Sequence, residues 1–121
     1  MTGKLTTHVL DTANGCPAAN LQLTLWTIDD AASPGRSRLR TTVTNRDGRV
    51  DEPLLQGAEF NLGVYELIFA VGAYFQQQGM MLPQPNFLDE VPLRFGVADA
   101  DAHYHVPLLV SPWSYSTYRG S

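Results

Sequence analysis

An all-β fold, a sandwich or barrel, is predicted by three features of this sequence. Turn signals recur along it, at Asn14-Gly15, Ser33-Pro34-Gly35, Asp47-Gly48, Gly57, Gly79, Pro83 to Pro85, Pro92 and Ser111-Pro112. Between them lie short runs with period-2 alternation or β-branched content. Only one segment, residues 71–79 (VGAYFQQQG), reads as a helix, because Ala, Gln and Phe there are unbroken by proline. Regularly spaced short strands with turns between them are the pattern of a sandwich or barrel.

The strands follow in order. KLTTHVLD, Lys4–Asp11, puts Thr6, His8 and Leu10 on one face and Leu5, Thr7 and Val9 on the other. Residues 22–29, QLTLWTID, align Leu23, Leu25 and Thr27. Residues 37–44, SRLRTTVT, follow Arg36 and carry Arg38 and Arg40, an alternation that marks the solvent face of an edge strand. GVYELIFA, Gly63–Ala70, sets Tyr65, Leu67 and Phe69 against Val64, Glu66 and Ile68. Residues 91–98 read VPLRFGVA. In HYHVPLLV, His103–Val110, the uniformly apolar face is Tyr104, Val106, Leu108 and Val110, and His105, Pro107 and Leu109 lie opposite. Residues 114–119, SYSTYR, follow the tight Ser111-Pro112-Trp113 connection, so the last two strands are expected to be antiparallel neighbours. Three strand faces therefore carry His, Ser, Tyr, Thr and Pro where an open surface would carry Lys and Glu. Such faces suit an enclosed site or a subunit interface.

Composition excludes several functions. At 121 residues the chain is one expected domain, 1–121, and 44% hydrophobic content supports a real core. Twelve acidic residues against eight Lys and Arg give a net charge of -4, with no Lys-rich segment, which argues against nucleic acid as a partner. The single Cys16 supplies neither an internal disulfide nor a structural zinc site. The longest apolar stretch, residues 62–75, is interrupted by Glu66 and is shorter than the ~20 residues that span a bilayer. No signal-peptide core and no SKL-type terminus is present, so no membrane association and a cytoplasmic location are expected.

The candidates for chemistry are few. All three histidines, His8, His103 and His105, lie on two strands, and imidazole exchanges protons near neutrality. A lone strand histidine is more often structural. His103 and His105, two apart, could chelate a metal, but no Asp, Glu or Cys shares their face, and no metal site is assigned. Arg49 follows the Asn45-Arg46-Asp47-Gly48 turn; it reads either as a solvated loop residue or as an anion or oxyanion clamp. The end, Tyr118-Arg119-Gly120-Ser121, either frays or folds over a site. Cys16 has no histidine near it in sequence, no G-x-S-x-G elbow occurs, and no glycine-rich phosphate loop follows a strand.

Taken together and in order, His8 in LTTHVLDTANGCPA, Arg49 in NRDGR, His105 in HYHVPLLVSP and the terminal SYSTYRGS resemble the 5-hydroxyisourate hydrolases, the transthyretin-related proteins of purine catabolism. The resemblance runs from Leu5 to Ser121, and the Tyr-Arg-Gly-Ser end is its most specific part. It implies a transthyretin-like β-sandwich of two four-stranded sheets with one short helix. It further implies a homotetramer, a dimer of dimers, with active sites in the channel between dimers. The implied reaction is cofactor-free hydrolysis of 5-hydroxyisourate at its N1–C6 bond, giving 2-oxo-4-hydroxy-4-carboxy-5-ureidoimidazoline. Carried over residue by residue, the catalytic positions are His8, Arg49 and His105, and the substrate-binding positions are His8, Arg49, Tyr118, Arg119, Gly120 and Ser121. Departures from the family pattern at Trp113, at Phe87-Leu88-Asp89-Glu90-Val91 and at Cys16 touch none of these. Two other readings are a hormone carrier like transthyretin and a non-catalytic β-sandwich interaction module; the retained histidines, Arg49 and terminal tetrapeptide argue for the hydrolase.

Overall fold

The computed structural model describes residues 3–28 and 35–121. Asp29, at the expected end of one strand, and Ser33 and Pro34 of the expected turn lie outside the described residues. The elements are β1 (Lys4–Asp11), β2 (Cys16–Pro17), β3 (Gln22–Ile28), β4 (Arg36–Val43), β5 (Leu55–Gln56), β6 (Gly63–Ala70), α1 (Val71–Gln77), β7 (Glu90–Val97), β8 (His103–Val110) and β9 (Tyr115–Ser116).

One sheet runs β2-β1-β8-β9, with the two-residue β5 added against β1, and the other runs β4-β3-β6-β7. The expected two sheets and one short helix are present, and β5 is a strand beyond the four expected in the first sheet. Every pairing is antiparallel except that of β1 with β8. Sequence alternation decides which faces meet. Leu5 and Val9, Leu23 and Leu25, Tyr65, Leu67 and Phe69, and Tyr104, Val106, Leu108 and Val110 all turn inward and are buried in one core. The apolar stretch at 62–75 is β6 running directly into α1, and among the described residues no helix is long and apolar enough to cross a membrane.

Glu66 points away from the core but is shielded there. It pairs with Arg36 at 3.3 Å and Arg94 at 3.4 Å, and the Arg36 guanidinium lies 4.2 Å over the Trp26 ring. Arg36 and Arg38 are thus exposed on an edge strand as expected, but Arg40 is half-buried and donates to the carbonyls of Pro53 and Leu54. The helix stops at Gln77, short of the expected 79, because Gly79 turns the chain at φ 84. It is tied to β1 by the Tyr74 hydroxyl, which donates to the buried Asp11 carboxylate at 2.7 Å.

The last strand is much shorter than the run 114–119. Pairing with β8 covers Leu109↔Ser116 and Val110↔Tyr115, stops, and resumes as a single bridge, His105↔Gly120. Pro107 lies in the gap. It has no N–H to give to a ladder, and its carbonyl instead accepts from the Thr117 hydroxyl at 2.6 Å.

Candidate active site

The parallel register of β1 and β8 sets Lys4 beside His103, Thr6 beside His105 and His8 beside Pro107. The outward faces of the two strands therefore merge into one surface. On it the Thr6 hydroxyl sits between two imidazoles, 2.7 Å from Nε2 of His103 and 2.8 Å from Nδ1 of His105. Both rings turn to this hydroxyl, and their centroids are 6.2 Å apart in an edge-on arrangement. Among the described residues, no group of three His, Cys, Asp or Glu has the geometry of a metal site.

Arg49 reaches the same surface because of the turn before it. Asn45 organises that turn: its side-chain oxygen accepts from the backbone N–H of Asp47 at 2.8 Å and of Arg49 at 3.1 Å. The Asn45 carbonyl accepts from Gly48, and its N–H donates to the Arg49 carbonyl at 2.7 Å. Gly48 has φ 76, and a Cβ there would meet the Val9 carbonyl oxygen, so only glycine lets the turn lie this close to β1. The Val9 N–H donates to the Gly48 carbonyl, and Arg49 forms a β-bridge with His8. The turn is thus welded to β1, and Arg49 is an exposed cation held beside His8. The Asp47 carbonyl accepts from His8 Nε2 at 2.9 Å. A carbonyl only accepts, so neutral His8 carries its proton on Nε2 and a lone pair on Nδ1.

The chain end arrives from the other side. Gly120 and His105 exchange both backbone hydrogen bonds, at 2.7 and 3.2 Å. A Cβ on Gly120 would stand 3.1 Å from Cβ and Cδ2 of His105. That is a few tenths of an ångström tighter than ordinary contact, so glycine lets the terminus lie against the ring without displacing it.

An open cleft of about 460 Å³ results, with Lys4, Thr6, Arg49, His103, His105 and Ser121 among its walls. Of the expected site residues, the structure brings Arg49, His105 and Ser121 to this cleft, with His8 bridged to Arg49 and Gly120 bridged to His105. Tyr118 and Arg119 lie elsewhere in the single chain. They line a second hollow of about 490 Å³ with Leu93, Phe95 and Tyr104, and the Arg119 guanidinium lies 4.2 Å over the Tyr104 ring.

Electrostatics act on all three histidines in one direction. Burial first, then the Arg49 charge, lowers His8 below its usual range, with the Asp47 carbonyl bond opposing. Burial, then Arg49, His103 and His8, lowers His105. Burial, then Lys4 and Arg119, lowers His103. Each ring is therefore predominantly neutral at pH 7 and available as a base. Among the described residues, Nδ1 of His8 and Nε2 of His105 have no hydrogen-bond partner. The cleft thus holds the unpaired His105 nitrogen and the Arg49 guanidinium, with His8 bridged to Arg49 beside it, a set of groups that can move protons and hold an anion.

Two residues that hold this arrangement were not singled out from the sequence: Thr6, which bridges two histidines, and Asn45, which builds the Arg49 turn. Alternation places Thr6 on the His8 face, but its contact with His103 and His105 depends on the parallel pairing of strands at opposite ends of the chain.

Comparison with known proteins agrees with the fold. Residues 5–120 match the sequence profile described as the HIUase/Transthyretin family. The chain is 60% identical over 119 residues to a 5-hydroxyisourate hydrolase of Mesorhizobium japonicum, covering 98% of this chain and 93% of that protein. A crystal structure of (S)-allantoin synthase is similar with a TM-score of 0.91 and 50% identity over 99% of this chain; the chain spans only 44% of that longer protein. Sea bream transthyretin in complex with thyroxine is similar with a TM-score of 0.83 and 28% identity, over 97% of this chain and 94% of the other.

Proposed function

The chain belongs to the HIUase/Transthyretin family, and we propose that within it this protein is a 5-hydroxyisourate hydrolase. It opens the six-membered ring of its substrate at the N1–C6 bond and releases 2-oxo-4-hydroxy-4-carboxy-5-ureidoimidazoline. The observation that carries this reading is the shared surface of β1 and β8: His105 and Arg49 line the cleft, His8 is bridged to Arg49 beside it, and each of the two rings keeps one nitrogen without a partner among the described residues. Hydrolysis of a cyclic amide needs a base to deprotonate water, a donor for the oxyanion and an acid for the leaving nitrogen.

The roles are assigned as follows. His105 or His8, neutral at pH 7, removes a proton from water as it adds to C6. The Arg49 guanidinium holds the anionic substrate or the oxyanion that forms on the carbonyl. An imidazole N–H then delivers its proton to N1 as the C–N bond breaks. Ser121 closes the cleft from the end of the chain, and Gly120 allows it to lie there. The proposed hydrolysis is cofactor-free, with the base, the acid and the cation it needs supplied by His8, His105 and Arg49.

Tyr118 and Arg119 enter the site through assembly. The second hollow opens where β7 and β9 are sheet edges among the described residues, with Tyr115 and Tyr118 exposed around it. Unpaired edges beside exposed aromatics favour association with another copy. The proposed unit is a homotetramer, a dimer of dimers, whose substrate channel is lined by residues of more than one copy. The proposed location is the cytoplasm.

Thyroxine binding by the sea bream relative marks the rival function, a carrier with the same fold. The two separate in one assay. Freshly generated 5-hydroxyisourate loses its ultraviolet absorbance slowly by itself, and added protein should accelerate that loss catalytically. A rate equal to the spontaneous one would overturn the hydrolase reading. Light scattering on a size-exclusion column should return four times the 13.3 kDa chain mass.

A further inference from the structure

Thr6 and His103 have no part in the hydrolysis as assigned above, yet they hold His105 from behind. The Thr6 hydroxyl carries one proton and lies within hydrogen-bond distance of both rings, 2.7 Å from His103 Nε2 and 2.8 Å from His105 Nδ1. With both rings neutral it must donate to one nitrogen and accept from the other. Only two arrangements satisfy it. In one, His105 Nδ1–H donates to Thr6, Thr6 donates to His103 Nε2, and His105 Nε2 holds a lone pair. In the other, His103 Nε2–H donates to Thr6, Thr6 donates to His105 Nδ1, and His105 carries its proton on Nε2. The first makes His105 a base toward the cleft and the second makes it an acid.

Building on the hydrolase reading, we infer that Thr6 and His103 form a tautomer relay that lets His105 serve as base and then as acid within one turnover. In the attack step His105 Nε2 takes a proton from water, the water oxygen bonds to C6, and the carbonyl electron pair moves onto its oxygen. The Nδ1 proton of His105 passes to Thr6 while Thr6 passes its own to His103 Nε2. His105 is then neutral with Nε2–H, and the positive charge rests on His103. In the collapse step the oxyanion reforms the carbonyl, the C6–N1 bond breaks, and Nε2–H protonates N1. The His103 Nε2 proton returns to Thr6 as Thr6 returns one to His105 Nδ1, restoring the first arrangement. Water is added, one C–N bond is cleaved, and the relay ends as it began.

Geometry and charge both support such a shuttle. The backbone register fixes Thr6 opposite His105, and the contacts to His103 and His105 hold its hydroxyl between the two rings. Cations face both rings: Lys4 and Arg119 act on His103, and Arg49 acts on His105, which also faces His8. Burial and these charges lower both rings, so neither is a deep trap for the proton.

Thr6 and His103 are positioning residues, and the test must read more than rate. In the full-length protein, Thr6→Val should lower kcat by about 10- to 100-fold with KM nearly unchanged, and Thr6→Ser should restore it to within a few-fold. The dependence of kcat on the D2O fraction should curve for the wild type, with several protons in flight, and become linear in Thr6→Val. His103→Phe should reproduce both changes, which covers the case in which Thr6→Val weakens the fold. Without substrate, nitrogen chemical shifts of His103 and His105 should titrate together in the wild type and independently in Thr6→Val. Native kcat and an unchanged isotope profile in Thr6→Val, or rings that titrate independently in the wild type, would overturn the relay. A wild type without activity would instead sink the hydrolase reading, while the coupled titration would still judge the relay.

Discussion

Strand β1 carries two polar clusters on opposite faces, and they are built to opposite ends. On the inner face Asp11 is 1% exposed and accepts from the Asn14 N–H, the Asn14 side-chain amide and the Tyr74 hydroxyl, at 2.9, 2.7 and 2.7 Å. Its valences are filled, and its effect is to pin α1 against the end of the sandwich. On the outer face Thr6 and His8 join His103, His105 and Arg49, and there two imidazole nitrogens stay unpaired beside an exposed guanidinium. A filled network holds a fold together, whereas an unfilled one at a cleft is where a substrate can bind and protons can move. Period-2 alternation along eight residues separates the two functions with no loop between them.

Removing groups from each face should break this comparison in different observables. The largest effect is on the outer face: His105→Ala or His8→Ala should lower turnover by ~10²–10⁴ while Tm stays near native, since each ring is half-exposed. Near-native decay of fresh 5-hydroxyisourate with both variants would remove the outer cluster from catalysis. On the inner face Tyr74→Phe leaves a buried carboxylate short of one donor and should cost ~1–3 kcal/mol of stability in urea unfolding, with kcat unchanged. A lost kcat without lost stability would mean that the faces are not separable. Smaller still is Gly120→Ala. The new methyl would press on Cβ and Cδ2 of His105 at 3.1 Å and shift the ring. Turnover should drop by about tenfold, a cost of ~1.4 kcal/mol, with unfolding barely altered.

How much of this was legible in the sequence depends on the range of the interaction. Faces were legible: Leu5, Thr7 and Val9 against Thr6, His8 and Leu10 follow from alternation alone, as do Tyr104, Val106, Leu108 and Val110. His8, Arg49 and His105 were reached through motif and resemblance, and the structure brings them to one surface. What failed was pairing at a distance. The run 114–119 has strand composition, but its ladder breaks opposite Pro107, a residue on another strand. Thr6 looked like one more β-branched strand residue, because its partners at 103 and 105 are adjacent only through the parallel β1–β8 register. Arg40 was read as solvated because nothing local reveals that the carbonyls of Pro53 and Leu54 lie within its reach. Tyr118 and Arg119 mark a further boundary, since a single chain turns them to a different hollow from Ser121.

The smallest effect is also the sharpest test of the two-faced strand, because the clusters should fail at opposite ends of the pH scale. His8, His103 and His105 are lowered in the folded chain from the usual 6.5. Below 6.5 the unfolded chain takes up protons before the folded one, so stability is full above that value and falls as pH drops through the lowered folded values. Tyr74 is raised from the usual 10.0 by burial and by its bond to Asp11. There the unfolded phenol ionises first, so stability is full below 10 and falls as pH rises beyond it. Thermal unfolding followed across the pH range should show an acid shoulder that flattens in His105→Ala and an alkaline shoulder that flattens in Tyr74→Phe. Each substitution should leave the other shoulder in place. If one variant moved both, the core of β1 would be transmitting charge between its faces, and the separation of structure from chemistry along that strand would not hold.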